Sequence, residues 1–341
     1  MLRCMPPFPD PTGFSFLFAR DFISSNKRGA ARLMTLQRPI HHGTASADQN
    51  QCSCRRRPVT LGSSDTLHPL VSVIVPTRNS AQFLERCLSS IVNQTYHAIE
   101  LIVVDNFSTD STVDIAIKFT DNVIKAGPER SAQTNAGVRM SSGKFVFRVD
   151  SDFVLDPKVV EEAVDIASKG FDAIVVHNSP DASISRLARL RKFEVDMYKY
   201  DLTHSAARFI RKSTYVVIGG YNPSVTAGED YDFQNRLTRA GVRTGFIAAE
   251  ALHLGEPTDL LHVLRKYYTY GEDFVRFVPL NDDRALSQLG PIRLAFVRNW
   301  RAFIRHPLLG TDLVFYHLMR FIAGAAGYLV SKFSQSQRRL L

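Results

Sequence analysis

A chain of 341 residues, 45% hydrophobic and 22% charged, can bury a substantial core, which excludes a wholly disordered protein or a small disulfide-stapled one. Its formal charge of +9 sits at the two ends: residues 1–68 hold nine Lys/Arg against four Asp, and residues 284–341 hold nine against one. The middle is mildly acidic, which argues against a nucleic-acid-binding core and points the basic flanks toward an anionic membrane surface.

Residues 1–68 are rich in Pro, Ser, Arg and Gln without a sustained period, and are expected to form a disordered basic arm. The apolar stretch at 13–23 lacks the flanks of a signal peptide. Cys4, Cys52, Cys54 and Cys87 do not have the spacing of a zinc site and are expected to be free thiols. From residue 70 the texture changes. LVSVIVPT (70–77) and IELIVVD (99–105) are short buried strands, with a helix at 81–94 between them. A helix at 108–120, a strand at 122–126, a helix within 127–143 and a strand at 144–150 follow. Asp156-Pro157 opens another helix, closed by Gly170, and 171–177 is a strand. Further on come a charged helix (183–200), a strand (207–212), a Gly219-Gly220 turn and a helix from Glu229 to Ala240. This alternation predicts an α/β domain over 69–256, with a mainly parallel, Rossmann-like sheet flanked by helices. Beyond 256 the pattern is helical: 259–277 is amphipathic, 292–306 is basic and amphipathic, and 308–331 is strongly apolar.

Ligands of such sheets bind beyond the carboxyl ends of the strands. Pro76–Asn79, Asp105–Asp110 and Asp150–Asp152 all fall at such ends. The last cluster, in FRVDSDF, raises its own question. Two carboxylates that close repel unless a cation lies between them, so the pair fits either a cation site or a solvated acidic turn.

VSVIVPTRN, IELIVVDNFSTDST, GPERSAQTNAG, FRVDSDF and GGYNPSVTAGEDYDFQNRLTRAG occur in an order and spacing that resembles glycosyltransferase family 2, over about residues 70–256. The resemblance implies a GT-A fold and an inverting transfer from a nucleotide-diphosphate sugar, a UDP-sugar by this reading, to a hydroxyl acceptor. Asp150 and Asp152 then resemble the family's D-x-D pair, which holds a divalent cation, Mn2+ or Mg2+, against the donor diphosphate. Asp105 resembles the carboxylate that accepts from the donor base; the other reading is an Asp capping its own turn. Pro76, Thr77, Arg78 and Asn79 resemble the loop around base and ribose. Arg130 and Asn135 lie in the segment that faces the nucleotide, although Thr134 stands where the family often has Arg. Gly219 and Gly220 would let the backbone approach the donor. Asp230 matches the family's general base and Glu229 its neighbour; an ordinary acidic helix N-terminus is the alternative. His253 is a third candidate for the metal shell, or else a packed histidine at a strand end.

The Q-x-x-R-W motif of processive synthases is missing, which favours transfer of a single sugar. In the tail, 313–333 is nearly long enough to cross a bilayer, but His317 and Arg320 lie near its middle. Residues 257–341 are therefore expected to associate with the cytoplasmic face of a membrane without spanning it; a helical hairpin packed on the domain is the alternative. An acceptor linked to polyprenyl phosphate, or a glycolipid, would follow. The competing functions are a non-catalytic nucleotide-sugar-binding scaffold and a sugar nucleotidyltransferase, whose Gly-rich basic loop PTRNSAQF does not provide.

Overall fold

The computed structural model describes residues 68–338, so the expected basic arm and three of the four cysteines lie outside the described residues; Cys87 is a buried free thiol. The chain runs β1 (Val71–Thr77), α1 (Ala81–Val92), β2 (Ile99–Asp105), α2 (Thr112–Ala116), β3 (Val123–Lys125), α3 (Arg130–Met140) and β4 (Phe145–Arg148). It continues β5 (Phe153–Leu155), α4 (Val159–Ser168), β6 (Ala173–Pro180), α5 (Arg186–Asp196), β7 (Phe209–Arg211) and α6 (Lys212–Ile218). The helix α7 (Glu229–Arg239) and the strand β8 (Thr244–His253) complete the sheet region. The helices α8 (Leu260–Leu280), α9 (Asp282–Leu289), α10 (Leu294–Arg298), α11 (Trp300–Arg305) and α12 (Pro307–Arg338) follow.

One eight-stranded sheet has the order β3-β2-β1-β4-β7-β6-β8-β5. Its first four strands pair parallel, as the alternation predicts. β7 runs antiparallel between β4 and β6, and β5 pairs antiparallel with β8, so this half of the sheet is mixed. Parallel strands in such a sheet are covered on both faces, and β1 shows the consequence. Val71, Val73 and Val75 pack with Leu84, Leu88 and Ile91 of α1, while Ile74 points the other way, into a cluster with Ala136, Tyr221 and Phe233. Neither face has room for a polar side chain without a partner, and this pushes the chemistry to the strand ends.

The C-terminal helices change the picture drawn from sequence. α12 packs along α8 at very close range: a Cβ on Gly271 would lie 2.0 Å from the Gly324 carbonyl oxygen, and one on Gly327 would lie 2.0 Å from that of Tyr268. His317 and Arg320 face inward, both buried. Arg320 Nη2 donates to Glu194 Oε1 of α5 at 2.7 Å, and its Nη1 donates to the Tyr267 hydroxyl of α8 at 3.0 Å. The two residues that weigh against a transmembrane span are thus interior groups with protein partners. The basic stretch 292–306 is two short helices rather than one, broken at Asn299, whose side chain donates to the carbonyls of Ala295 and Met197.

Candidate active site

The carboxyl ends of β1 and β2 lie side by side, with Thr77 paired in register with Asp105. Pro76 and Thr77 close β1, and Arg78 and Asn79 begin the loop after it. Asn79 takes a left-handed conformation (φ 48°). Its backbone N–H donates to Ser108 Oγ and its side-chain oxygen accepts from the Thr109 N–H, each at 2.8 Å, stitching the two loops together. Asp105 accepts from the Ser108 N–H and hydroxyl, so it caps its own turn. The Thr77 hydroxyl is buried at this rim and has no hydrogen-bond partner among the described residues.

Asp150 follows the end of β4 and is met by three arginines. Arg148 reaches it through Nε and Nη2 at 3.2 and 3.3 Å, Arg208 at 3.2 Å and Arg130 at 3.4 Å. Burial alone would raise the pKa of this carboxyl, but the charges of Arg148, Arg208 and Arg130 outweigh it and hold the group well below the usual carboxylate range. The cations that tolerate Asp150 are therefore guanidinium groups of the chain itself. Arg148 also donates from Nη1 to Asp230 at 2.7 Å, Arg208 pairs with Asp230 at 3.4 Å, and Arg130 pairs with Glu229. Three arginines and three carboxylates balance within one site.

Glu229 and Asp230 open α7 behind Gly228, whose φ of 81° is left-handed. A Cβ at Gly228 would also lie 3.1 Å from the Phe277 ring, so glycine is what allows the chain to enter the helix here. Asp230 is held below its ordinary pKa: burial opposes ionisation, and Arg148, Arg208 and Arg130 overcome it. Arg148 is in turn stacked 5.0 Å over the Tyr221 ring.

Asp152 belongs to a second pair. Strands β5 and β8 place Phe153 opposite His253, and His253 Nε2 lies 3.0 Å from Asp152 Oδ2. The other ring nitrogen, Nδ1, lies 2.7 Å from Glu256 Oε1. Burial lowers the imidazole pKa, but the two carboxylates more than compensate and raise it to about 9. Gly219 and Gly220 close α6 in left-handed conformations. Asn135 is occupied by this turn: its oxygen accepts from the Tyr215 hydroxyl and the Tyr221 N–H, and its amide donates to the Tyr221 carbonyl.

Residues 72–221 match the family model described as glycosyl transferase family 2. Over this stretch the chain is similar to glycosyltransferase family 2. A curated relative, an uncharacterized glycosyltransferase of Haemophilus influenzae, is 37% identical over 200 residues, which cover 51% of this chain and 61% of that protein. The chondroitin synthase of Escherichia coli is 26% identical over 186 residues, 51% of this chain and 27% of that protein. The matches thus span only part of the length of these relatives. Among solved structures, the mannosyltransferase PcManGT of Pyrobaculum calidifontis superposes with a TM-score of 0.57 at 18% identity, covering 77% of this chain and 88% of that one, a likeness of fold. The fold is the GT-A fold expected from the motifs.

At this site, sequence reasoning missed Arg148, Arg208 and Glu256. Arg148 carried a signal: a charge inside the buried run FVFRVD needs an ionic partner. Arg208 carried none, because its partners Asp150 and Asp230 are distant in the chain, and Glu256, although only three residues from His253, carried no mark of the burial that forces the two together. The side chains present fit a divalent cation at one place. Asp152 and His253 are partly exposed, adjacent and of the right donor chemistry, and the Glu256 contact to Nδ1 is the usual orienting device for a ligating imidazole. Two protein donors would leave positions for phosphate oxygens. Asp150 fits less well, since both of its oxygens are engaged by arginines. No group of three His, Cys, Asp or Glu side chains arranged for a metal occurs among the described residues.

Proposed function

We propose that the protein is an inverting, cation-dependent glycosyltransferase moving one sugar from a nucleotide-diphosphate sugar to a hydroxyl acceptor. The observation that carries this reading is Arg148, whose guanidinium joins Asp150 of the D-x-D pair to Asp230 at the start of α7. Donor-side and acceptor-side carboxylates thereby meet on one buried group.

Each residue has a role in this reading. Pro76, Thr77, Arg78 and Asn79 surround base and ribose, with the buried, unpaired Thr77 hydroxyl among them. The motifs assign Asp105 to the base, although in this structure it is buried and engaged by Ser108. Arg130, 44% exposed on its side chain, and Arg208 face the diphosphate, with Gly219 and Gly220 supporting the turn beside it. Asp152 and His253 would hold Mn2+ or Mg2+, which neutralises charge developing on the leaving phosphates. Asp230 accepts the acceptor hydroxyl's proton at a carboxylate oxygen, and its lowered pKa keeps it ionised at neutral pH. Glu229, locked to Arg130, orients that end of α7. The solved mannosyltransferase of similar fold was complexed with GDP-Man and Mn2+, in keeping with a nucleotide sugar and a cation here. Our preference for a UDP-sugar rests on the motifs.

We read 257–341 as a region that lies on the cytoplasmic membrane face, in support of an acceptor that is polyprenyl-linked or a glycolipid. Trp300, Ile304 and Leu308 are 54%, 67% and 79% exposed beside Arg298, Arg301 and Arg305, the composition of an interfacial surface.

The test is a donor screen on the full chain, with UDP- and GDP-sugars, reading released nucleoside diphosphate with Mn2+ and with EDTA. Cation-dependent release with one donor class, lost in Asp152→Ala, is expected. Release that persists in EDTA and in Asp152→Ala overturns the cation role, and no release from any donor favours a binding scaffold.

A further inference from the structure

We propose that Glu256 and Arg191 are positioning residues for the cation-binding pair Asp152–His253, and that they tie this pair to the buried face of α12. The proposal rests on the reading that Asp152 and His253 hold the divalent cation.

Glu256 lies three residues past the end of β8, and its side chain is only 3% exposed. A buried carboxylate is costly unless it is paired, and Glu256 is paired on both sides. Its Oε1 meets His253 Nδ1 at 2.7 Å, and its Oε2 lies 3.8 Å from Arg191 Nε on α5. Arg191 also donates from Nη1 to Glu194 Oε2. The other oxygen of Glu194 accepts from Arg320 Nη2 of α12 at 2.7 Å and from the Tyr198 hydroxyl at 2.9 Å. An unbroken ionic path therefore runs Arg320–Glu194–Arg191–Glu256–His253–Asp152, from the last helix to the strand ends.

The direction of each contact matters for chemistry. With Nδ1 committed as donor to Glu256, it is Nε2 that faces Asp152, and a cation bound there would take the place of the proton Nε2 holds toward that carboxylate. The His253 ring is further fixed by Phe153, 4.8 Å away centroid to centroid. The intervening Gly255 packs so tightly that a Cβ there would lie 2.2 Å from Asp152 Oδ2. Glu256 thus sets the ring's orientation, Arg191 stops Glu256 from swinging away, and the helical layer anchors Arg191. Outer partners of this kind are worth about 10–100-fold in metal affinity.

The experiment is a Mn2+ titration of the full chain in the presence of UDP, reading free Mn2+ by electron paramagnetic resonance. The variants are Asp152→Asn, Glu256→Gln, Arg191→Met and Arg191→Lys. Glu256→Gln and Arg191→Met should bind Mn2+ about 10–100-fold more weakly while folded by circular dichroism, with Arg191→Lys recovering part of the loss. A wild type that binds no Mn2+, or an Asp152→Asn variant with wild-type affinity, would remove the underlying site. If Asp152→Asn abolishes binding while Glu256→Gln and Arg191→Met keep wild-type affinity, the positioning role alone is overturned. Should Glu256→Gln not fold, Arg191→Met decides the question, because its removal leaves Glu194 paired with Arg320 and Glu256 paired with His253.

Discussion

Arg148 holds Asp150 and Asp230 together from a side chain only 2% exposed, so its removal would leave two carboxylates short of their main partner. Breaking a buried ion pair from one side typically costs about 3–5 kcal/mol. Arg148→Met should therefore lower unfolding free energy by about that amount in a urea titration, whereas loss of a merely peripheral contact would cost under about 1 kcal/mol. Asp230 calls for a gentler change. Asp230→Asn keeps the shape and removes the basicity, so donor affinity measured by calorimetry should be nearly unchanged. Turnover should fall by about 10²–10⁴-fold, the usual worth of a general base. Transfer at the wild-type rate would take the role of base away from Asp230.

The pairing of α8 with α12 depends on glycine at the crossing. Gly271→Ala would gain helix propensity, about 1 kcal/mol, yet its Cβ would meet backbone atoms that cannot step aside. The net effect expected is destabilisation by about 1–3 kcal/mol, seen as a lower melting temperature. The buried face of α12 that meets α5 and α10 carries an acid sensitivity. Burial, with help from the charges of Arg293 and Arg320, pushes the His317 pKa down to about 4. Between the ordinary value near 6.5 and that lowered value, the unfolded chain takes up a proton that the folded chain refuses. Stability should therefore fall as pH drops from about 6.5 toward 4. The urea midpoint measured across that range should decline, and His317→Gln should flatten part of the decline; His204, also lowered by burial, contributes with the same sign.

For the molecule as a whole, the structure alters how membrane association has to be tested. Deleting 284–341 would strip the exposed apolar and basic surface, but it would also remove Arg320 and leave Glu194 short of a buried partner. Surface replacements separate the two effects. Trp300→Ser with Ile304→Ser changes only side chains that are more than half exposed, so the fold should survive while binding to anionic vesicles drops several-fold. Sedimentation with vesicles at low and high salt measures this, and the arginine contribution should weaken as salt rises. Equal binding by the double variant and the wild type would show that this face is not the membrane contact.

Much of this protein could be read without coordinates. The apolar runs of β1, β2 and β4 mark strands buried on both faces, and such strands force polar residues to their ends; the rim of Thr77, Asp105 and Asp150 follows from that alone. The ordered motifs pointed to the family, and Asp230 at the start of a helix was legible from local pattern. Partners separated along the chain were not. Arg148 and Asp230 are 82 residues apart, and Glu194 and Arg320 are 126 apart. Local periodicity says which side of an element is apolar, but not which distant group will neutralise a charge placed there. That is why Asp150 turned out to be balanced by arginines rather than by a cation alone, and why an apolar tail with His317 and Arg320 in its middle resolves into a helix packed on the protein. The break at Asn299 has the same origin, since its side chain is drawn to the Met197 carbonyl by packing that the repeat of 292–306 does not encode. Composition and period determine what must be buried; only the assembled chain decides which opposite charge meets each buried one.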